Sequence, residues 1–318
     1  MDVSIIIVNW NSKELLRDCI RSVERHTTGI AYEIVVVDSA SFDGCGEMIR
    51  AEFPQVRFIQ SETNVGFARA NNLAYRSSRG GHILFLNPDT ELTSAAVNML
   101  LDHLTHYADS GAVGCRLLNR DGSVQTSCVQ SFPTFLNQSL NCEFLRGLFP
   151  TSKLWGMSSL FRSKAEPSKV DVVSGACVML RRSAFERVGH FSEDYFMYAE
   201  DLDLCHKLRQ AGYTNYYVPQ ATVLHFGGGC TDNAPSEFSV VMMRESIWRF
   251  LRKSRGAMYA CAYRLSTLLS AIIRLSLLLA MYPVRRAWHR TPCQRDSIWK
   301  WLAILAWSLK ISRAPHPV

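Results

Sequence analysis

Short apolar runs alternating with amphipathic stretches organise the first part of the chain. Val3-Ser4-Ile5-Ile6-Ile7-Val8 is a β-branched run, followed by Asn9-Trp10-Asn11-Ser12 and then by Leu15, Leu16, Cys19, Ile20 and Val23 on one helical face. The spacing predicts strand, loop, helix. Residues 33–38 repeat the scheme, with a polar loop over 39–46 and a second helix around 47–53. A third strand is expected at 56–59 and another helix opening within 64–72, while 82–86 forms a fourth strand that stops at Asn87-Pro88-Asp89. Continuous apolar strands between amphipathic helices belong to a mostly parallel α/β sheet covered on both faces, whose ligands collect at the carboxyl ends of the strands. Asp38, the segment from Asn64 to Arg69, and Asp89 all fall at such ends.

The pattern loosens over residues 115–170, where Pro133, Pro150 and Pro167 are mixed with Phe132, Phe135, Phe144, Phe149, Trp155 and Phe161. A mobile lid or acceptor loop is expected there. Order returns at 170–180, where Ser174-Gly175-Ala176 permits close backbone approach, and in a helix around 183–188. Phe196-Met197-Tyr198 then gives way to Glu200-Asp201 at the start of a helix marked by Leu202, Cys205 and Leu208 and stopped near Gly212. Two more strands are expected, 213–218 closed by Pro219 and 222–226 ending in Gly227-Gly228-Gly229.

Composition adds an asymmetry that the pattern alone hides. The 318 residues, 47% hydrophobic and 20% charged, suit a folded protein with a sizeable core. The net charge of +7 divides into +12 for residues 241–318 and −5 for the remainder. Because this basic tail is also rich in Leu, Trp and Tyr, its expected partner is an anionic membrane surface and not a nucleic acid. None of the ten cysteines forms a C-x-x-C pair, so buried reduced thiols are expected instead of a zinc site or a disulfide framework. The first apolar run is too short for a signal sequence, which places the expected location in the cytosol at the membrane face.

The candidate chemistry lies at the strand ends. Asp38 is suited to hold a base N–H or a ribose hydroxyl, or simply to cap the next turn with Ser39 and Ser41. Asp89 offers hard oxygens for Mg²⁺ or Mn²⁺ shared with phosphates, although Asn-Pro-Asp-Thr is also an ordinary turn sequence. Glu200 and Asp201 would cap helix amides without any catalysis, but one cap needs one acid, and the apolar residues before them would raise a carboxylate pKa toward base duty. His225 reads as a core histidine, or as a ligand beside a glycine-rich turn. Arg69 is either a solvated helix residue or a contact to a diphosphate.

Taken in order, residues 3–11 (VSIIIVNWN), 34–44 (IVVVDSASFDG), 64–72 (NVGFARANN), 85–92 (FLNPDTEL), 174–176 (SGA), 196–208 and 223–228 resemble the inverting family 2 glycosyltransferases, and most closely their rhamnosyltransferase-like branch. The resemblance covers roughly residues 1–230. It implies a GT-A fold, with a Rossmann-like nucleotide-binding half and an acceptor-binding half on one mixed sheet, a divalent cation (Mg or Mn), and a single displacement that inverts the anomeric carbon. By the same resemblance Asp38 is the nucleoside-binding acid, Asp89 the last residue of the D-x-D metal motif, Asp201 the general base, Glu200 its support, and His225 an aid at the metal or diphosphate. Asn11, Asn64, Arg69 and Asn87 complete the candidate nucleotide-sugar set. Two positions depart from the pattern: Asn87 replaces the first Asp of D-x-D, and Ser39 replaces an Asn, a change expected to loosen the nucleotide loop.

The expected organisation is therefore a catalytic domain over residues 1–230 and a basic apolar helical tail over 231–318. The run 265–281 contains Arg274 and follows Arg264, so an amphipathic helix lying in the membrane interface is favoured over a spanning one. Arg285, Arg286, Arg290 and Arg295 would then face anionic headgroups, with a second apolar piece at 299–309. Packing of these helices on the catalytic domain or in a homodimer is the alternative. The function expected is transfer of a sugar, such as rhamnose, from a nucleotide-diphosphate donor to a lipid-linked or polysaccharide acceptor at the cytoplasmic face of the inner membrane. A nucleotidyltransferase would require a basic glycine-rich phosphate loop, which residues 9–13 do not supply, and a membrane-bound scaffold without turnover is the non-enzymatic alternative.

Overall fold

The computed structural model describes residues 1–140, 166–227, 236–288 and 293–310. Phe144, Phe149, Pro150, Trp155 and Phe161 of the expected lid, Gly228 and Gly229, Arg290, and the side chains of Arg285, Arg286 and Arg295 lie outside the described residues. The chain divides into two compact units, one of 1–132 with 151–233 and one of 133–150 with 234–318.

In the first unit, alternation of apolar runs and amphipathic helices builds β1 (Val3–Asn9), α1 (Lys13–His26), β2 (Tyr32–Ser39), α2 (Cys45–Glu52), β3 (Arg57–Ser61), α3 (Phe67–Arg76) and β4 (His82–Leu86). All seven residues of β1 are buried, so the strand is covered on both faces, as its unbroken apolar sequence requires. Helix α1 buries Leu16, Cys19, Ile20 and Val23 and leaves Glu14 and Asp18 in solvent. After β4 come β5 (Thr90–Leu92), α4 (Ala96–His106), β6 (Ser110–Leu118), β7 (Val129–Gln130), then α5 (Phe135–Ser139), which belongs to the second unit, followed by β8 (Ser168–Val170), β9 (Val172–Val173), β10 (Cys177–Arg181), α6 (Arg182–Arg187), α7 (Glu200–Gln210) and β11 (Thr214–His225).

The nine-stranded sheet runs β3-β2-β1-β4-β10-β6-β11-β5, with β8 beside β11. It is more mixed than the apolar runs alone predict. The first four strands are parallel, but β10 is antiparallel to both β4 and β6, and β5 and β8 are antiparallel to β11. Two further expectations are corrected. Residues 115–118 belong to β6, and the two strands expected on either side of Pro219 are one, β11. Proline has no N–H to donate, and Pro219 falls where the β11–β6 register shifts between Val218 and Thr222, so no ladder bond is demanded of it.

The second unit holds α5 with α8 (Ser236–Arg255), α9 (Ala257–Trp288) and α10 (Cys293–Ser308). Its core includes Phe250, Leu251, Tyr263, Ile304 and Trp307. The arginines that interrupt the apolar run are used inside this bundle. Arg264 donates to the last carbonyls of α10, those of Trp307 and Ser308, and lies 4.6 Å over the Trp307 ring; Arg274 lies 4.5 Å over Trp301. A cation at a helix C-terminus satisfies orphan carbonyls and the helix dipole together. Among the described cysteines Cys19, Cys45, Cys115, Cys128, Cys177 and Cys205 are buried thiols, but Cys261 is exposed, on the outer face of α9.

Candidate active site

Register brings the strand ends to one edge. Asn9 pairs with Asp38, Asp38 with Gln60, Leu86 with Cys177, and Thr90 with His225. Strands β1, β2 and β4 stop at this edge, antiparallel β10 starts there just after Ser174–Ala176, and β11 ends there.

Asp38 is the most fully bonded acid of the group. Asn9 Nδ2 donates to it at 2.8 Å, Gln60 Nε2 at 2.7 Å and the Ser41 N–H at 3.0 Å, with the Ser41 hydroxyl as a further donor. Burial opposes its ionisation, yet bonds from Ser41, Gln60, Asn9 and Cys45 outweigh that cost and hold its pKa below the ordinary carboxylate value. Ser39 is bonded to the neighbouring loop. Its hydroxyl donates to Asn64 Oδ1 at 3.1 Å and accepts from the Val65 N–H, and the same Asn64 oxygen accepts from the Gly66 N–H. Asn11 is exposed in the β1–α1 loop with φ 52°. Arg69 is exposed and faces Glu193 at 3.6 Å.

The 64–72 segment is bonded both to Ser39, next to Asp38, and to the chain just ahead of the acidic pair. The Phe67 N–H donates to the Phe196 carbonyl at 2.8 Å, just ahead of Glu200. Gly66 permits this approach: it has φ 80°, and a Cβ there would stand 2.4 Å from the Phe196 oxygen.

Asn87, half-buried, and Asp89, buried, follow β4 in a turn. The Asn87 N–H donates to the Ala176 carbonyl at 2.9 Å, and the Asp89 carbonyl accepts from the Phe226 N–H at 2.9 Å. Asn87 Oδ1 and Asp89 Oδ1 are both buried without a hydrogen-bond partner among the described residues. Asp89 Oδ1 faces His225 Nε2 at 3.4 Å, and the other ring nitrogen, Nδ1, meets Gln125 Oε1 at 2.8 Å. A buried carboxylate oxygen without a hydrogen bond, 3.4 Å from an imidazole nitrogen, is a pair of donors that fits a divalent cation of the Mg²⁺/Mn²⁺ kind.

Glu200 and Asp201 open α7 after two consecutive non-glycine residues in the left-handed region, Tyr198 (φ 69°) and Ala199 (φ 62°). Such residues cost of order 1–3 kcal/mol each and persist only where their surroundings enforce them. Asp201 Oδ2 accepts from the Gly175 N–H at 3.0 Å and Oδ1 from the Leu202 N–H at 2.8 Å, so its bonds reach beyond its own helix, as a simple cap's would not. Burial raises the Asp201 pKa, opposed by those two amides. Glu200 Oε2 is buried without a hydrogen-bond partner among the described residues, and burial, then the Asp201 charge, push its pKa up to about 8. The environments therefore divide the pair: Glu200, with its buried oxygen unbonded, holds its proton the more strongly, and Asp201 is the carboxyl whose charge two amides receive. Asp203, outside the candidate residues of the sequence, braces the helix through Ser192, Tyr195 and Lys207; its only signal in the sequence is that it is the third acid of the EDLD run.

A stability measurement tests the state of Glu200. Between about pH 5 and about pH 8 the unfolded chain ionises this group while the fold keeps it protonated, so its contribution to stability falls as pH rises through that window. Glu200→Gln removes the titration. The variant's melting temperature should rise relative to wild type by several degrees between those pH values, and a constant difference would contradict proton retention.

A sequence model described as "Glycosyl transferase family 2" matches residues 4–189, and the chain belongs to that family. It is 32% identical over 216 residues, 64% of this chain and 69% of the relative, to the N-acetylglucosaminyl-diphospho-decaprenol L-rhamnosyltransferase of Mycobacterium tuberculosis. It is 30% identical over 225 residues, 66% of this chain and 62% of the relative, to the low-salt glycan biosynthesis hexosyltransferase Agl10 of Haloferax volcanii. The mannosyltransferase PcManGT from Pyrobaculum calidifontis, solved with GDP-Man and Mn²⁺, aligns with TM-score 0.60 and 16% identity over 97% of this chain and 86% of its own, a likeness of fold. The chain is thus a glycosyltransferase of GT-A fold that uses a nucleotide-sugar donor.

Proposed function

We propose that the chain transfers a hexose, with L-rhamnose the first candidate, from a nucleotide diphosphate to a sugar carried on a lipid diphosphate, by one displacement that inverts the anomeric carbon. The observation that carries this reading is the gathering at one sheet edge of bonded Asp38, unpartnered Asp89 facing His225, and the divided Glu200–Asp201 pair. Asp38 and Gln60 receive the nucleoside, with Asn11, Asn64, Asn87 and Arg69 around the donor. Asp201, held by the Gly175 amide, takes the proton of the acceptor hydroxyl, and protonated Glu200 next to it avoids a second negative charge. Asp89 and His225 hold a divalent cation, which when bound offsets the charge of the departing diphosphate. The names of the rhamnosyl- and hexosyltransferase relatives supply the sugar class and the lipid diphosphate.

A lipid-linked acceptor gives the helical unit a role. Helix α9 is long and apolar enough over Ala257–Ala280 to cross a membrane by length and composition. With Arg264 and Arg274 engaged in the bundle, it presents exposed Leu265, Leu269, Ile272, Ile273 and Leu277 on its outer side, in a tail segment of net charge +12. Those features suit an anionic bilayer surface on the cytoplasmic side.

The test is transfer by the purified chain, using a panel of nucleotide-diphosphate sugars and a sugar-diphospho-polyprenol in anionic vesicles. Transfer from one donor is expected, abolished by EDTA and restored by Mn²⁺ or Mg²⁺. Nucleotide binding without turnover on any donor would favour a scaffold, and absence of nucleotide binding would overturn the proposal.

A further inference from the structure

We infer that Gln125 is a positioning residue that locks the imidazole of His225 in one tautomer and aims its free nitrogen at the cation. The inference rests on the reading of Asp89 and His225 as cation ligands. It concerns a residue outside every motif of the sequence.

Gln125 touches His225 twice. Its Nε2 donates to the His225 carbonyl at 2.6 Å, and its Oε1 lies 2.8 Å from His225 Nδ1. The first contact fixes the second. A backbone carbonyl only accepts, so the amide NH₂ must face it and the amide oxygen must face the ring. An oxygen acceptor at Nδ1 demands Nδ1–H, which in the neutral imidazole leaves the lone pair on Nε2. That lone pair meets Asp89 Oδ1 at 3.4 Å, an oxygen that is buried and has no hydrogen-bond partner among the described residues. Two acceptors set face to face repel unless a positive charge lies between them, and this neutral tautomer is the one that ligates a metal through Nε2.

The backbone holds Gln125 in place for this task. Its N–H donates to the Leu117 carbonyl at 2.9 Å, and its carbonyl accepts from the Cys128 N–H at 3.1 Å. Just before it the chain leaves β6 in a tight turn, closed by Asn119 N–H to Ser123 O at 2.8 Å and the Leu118–Val124 bridge. Leu118 of β6 pairs with Leu224 on one edge and bridges to Val124 on the other, which brings the return from the turn close enough for the Gln125 side chain to reach His225.

The test uses the full chain with Mn²⁺ and a nucleoside diphosphate, reading free Mn²⁺ by electron paramagnetic resonance. Gln125→Met, which removes both contacts at similar size, should weaken Mn²⁺ binding about 10- to 100-fold, the usual effect of losing an outer partner of a ligating histidine. Gln125→Glu keeps an acceptor at Nδ1 and should restore most of that affinity, which a merely structural role would not predict. In the metal-free wild type, ¹⁵N NMR of neutral His225 should show Nδ1 protonated and Nε2 bare; this reading needs no variant to fold. Protonated Nε2, or a folded Gln125→Met protein with wild-type Mn²⁺ affinity, would overturn the inference. His225→Ala separates the two levels. If it weakens Mn²⁺ binding and Gln125→Met does not, the positioning role fails alone; if neither weakens it, the cation reading of His225 fails with it.

Discussion

Asp201→Asn should give a folded protein with near wild-type donor KM and kcat lowered about 10²- to 10⁴-fold, the range for loss of a general base. The substitution keeps an oxygen able to accept from the Gly175 or Leu202 amide, so the start of α7 should hold its place. It also removes the charge that helps push up the Glu200 pKa, so Glu200 should titrate lower in the variant. Steady-state kinetics and a melting curve check the first part. Because burial raises the Asp201 pKa, wild-type kcat/KM should fall with decreasing pH from a point above the ordinary aspartate range. A variant with wild-type kcat would remove Asp201 from the chemistry.

Asp89→Asn should be the second large loss, and of a different kind. Removing the carboxylate charge should abolish tight Mn²⁺ binding and lower kcat/KM for the donor by at least about 100-fold, since both the cation and the leaving diphosphate lose their anchor. Metal-free stability should change by less than about 1 kcal/mol. In the free protein Asp89 Oδ1 is a buried oxygen without a hydrogen bond, facing the His225 Nε2 lone pair, so the substitution breaks no bond there. Kinetics with titrated Mn²⁺, set beside chemical denaturation, separate this outcome from a folding defect. Retained activity together with lowered stability would mark Asp89 as a structural turn residue.

How far the sequence announces this architecture depends on the range over which each feature is encoded. The strands at 3–9, 32–39 and 82–86 and the helices after the first two follow from local periodicity, because each element's own residues decide which face is buried. Direction within the sheet is not local. Nothing in Cys177–Arg181 says that β10 lies between β4 and β6 and antiparallel to both, and the apolar pattern alone therefore overstates the parallel content. The Pro219 break is misread for a related reason: proline forbids a ladder bond only where the neighbouring strand asks for one.

The site divides along the same line. Asp38, Asp89, Asp201 and His225 are legible as chemistry-bearing residues at element ends. What sets their behaviour is not, because Gly175 lies 26 positions from Asp201 and Gln125 lies 100 from His225. The separation of Glu200 from Asp201 is likewise invisible in a run of two acids. It arises because one carboxyl receives two amides and the other is buried with an oxygen left unbonded.

The most direct test of the account is the anomeric configuration of the product. With the active donor and a lipid-diphosphate acceptor, NMR of the purified product through its one-bond C1–H1 coupling reports the configuration of the new linkage against that of the donor. One displacement with Asp201 as base requires inversion. Retention would demand a second displacement and would contradict the mechanism proposed for this site.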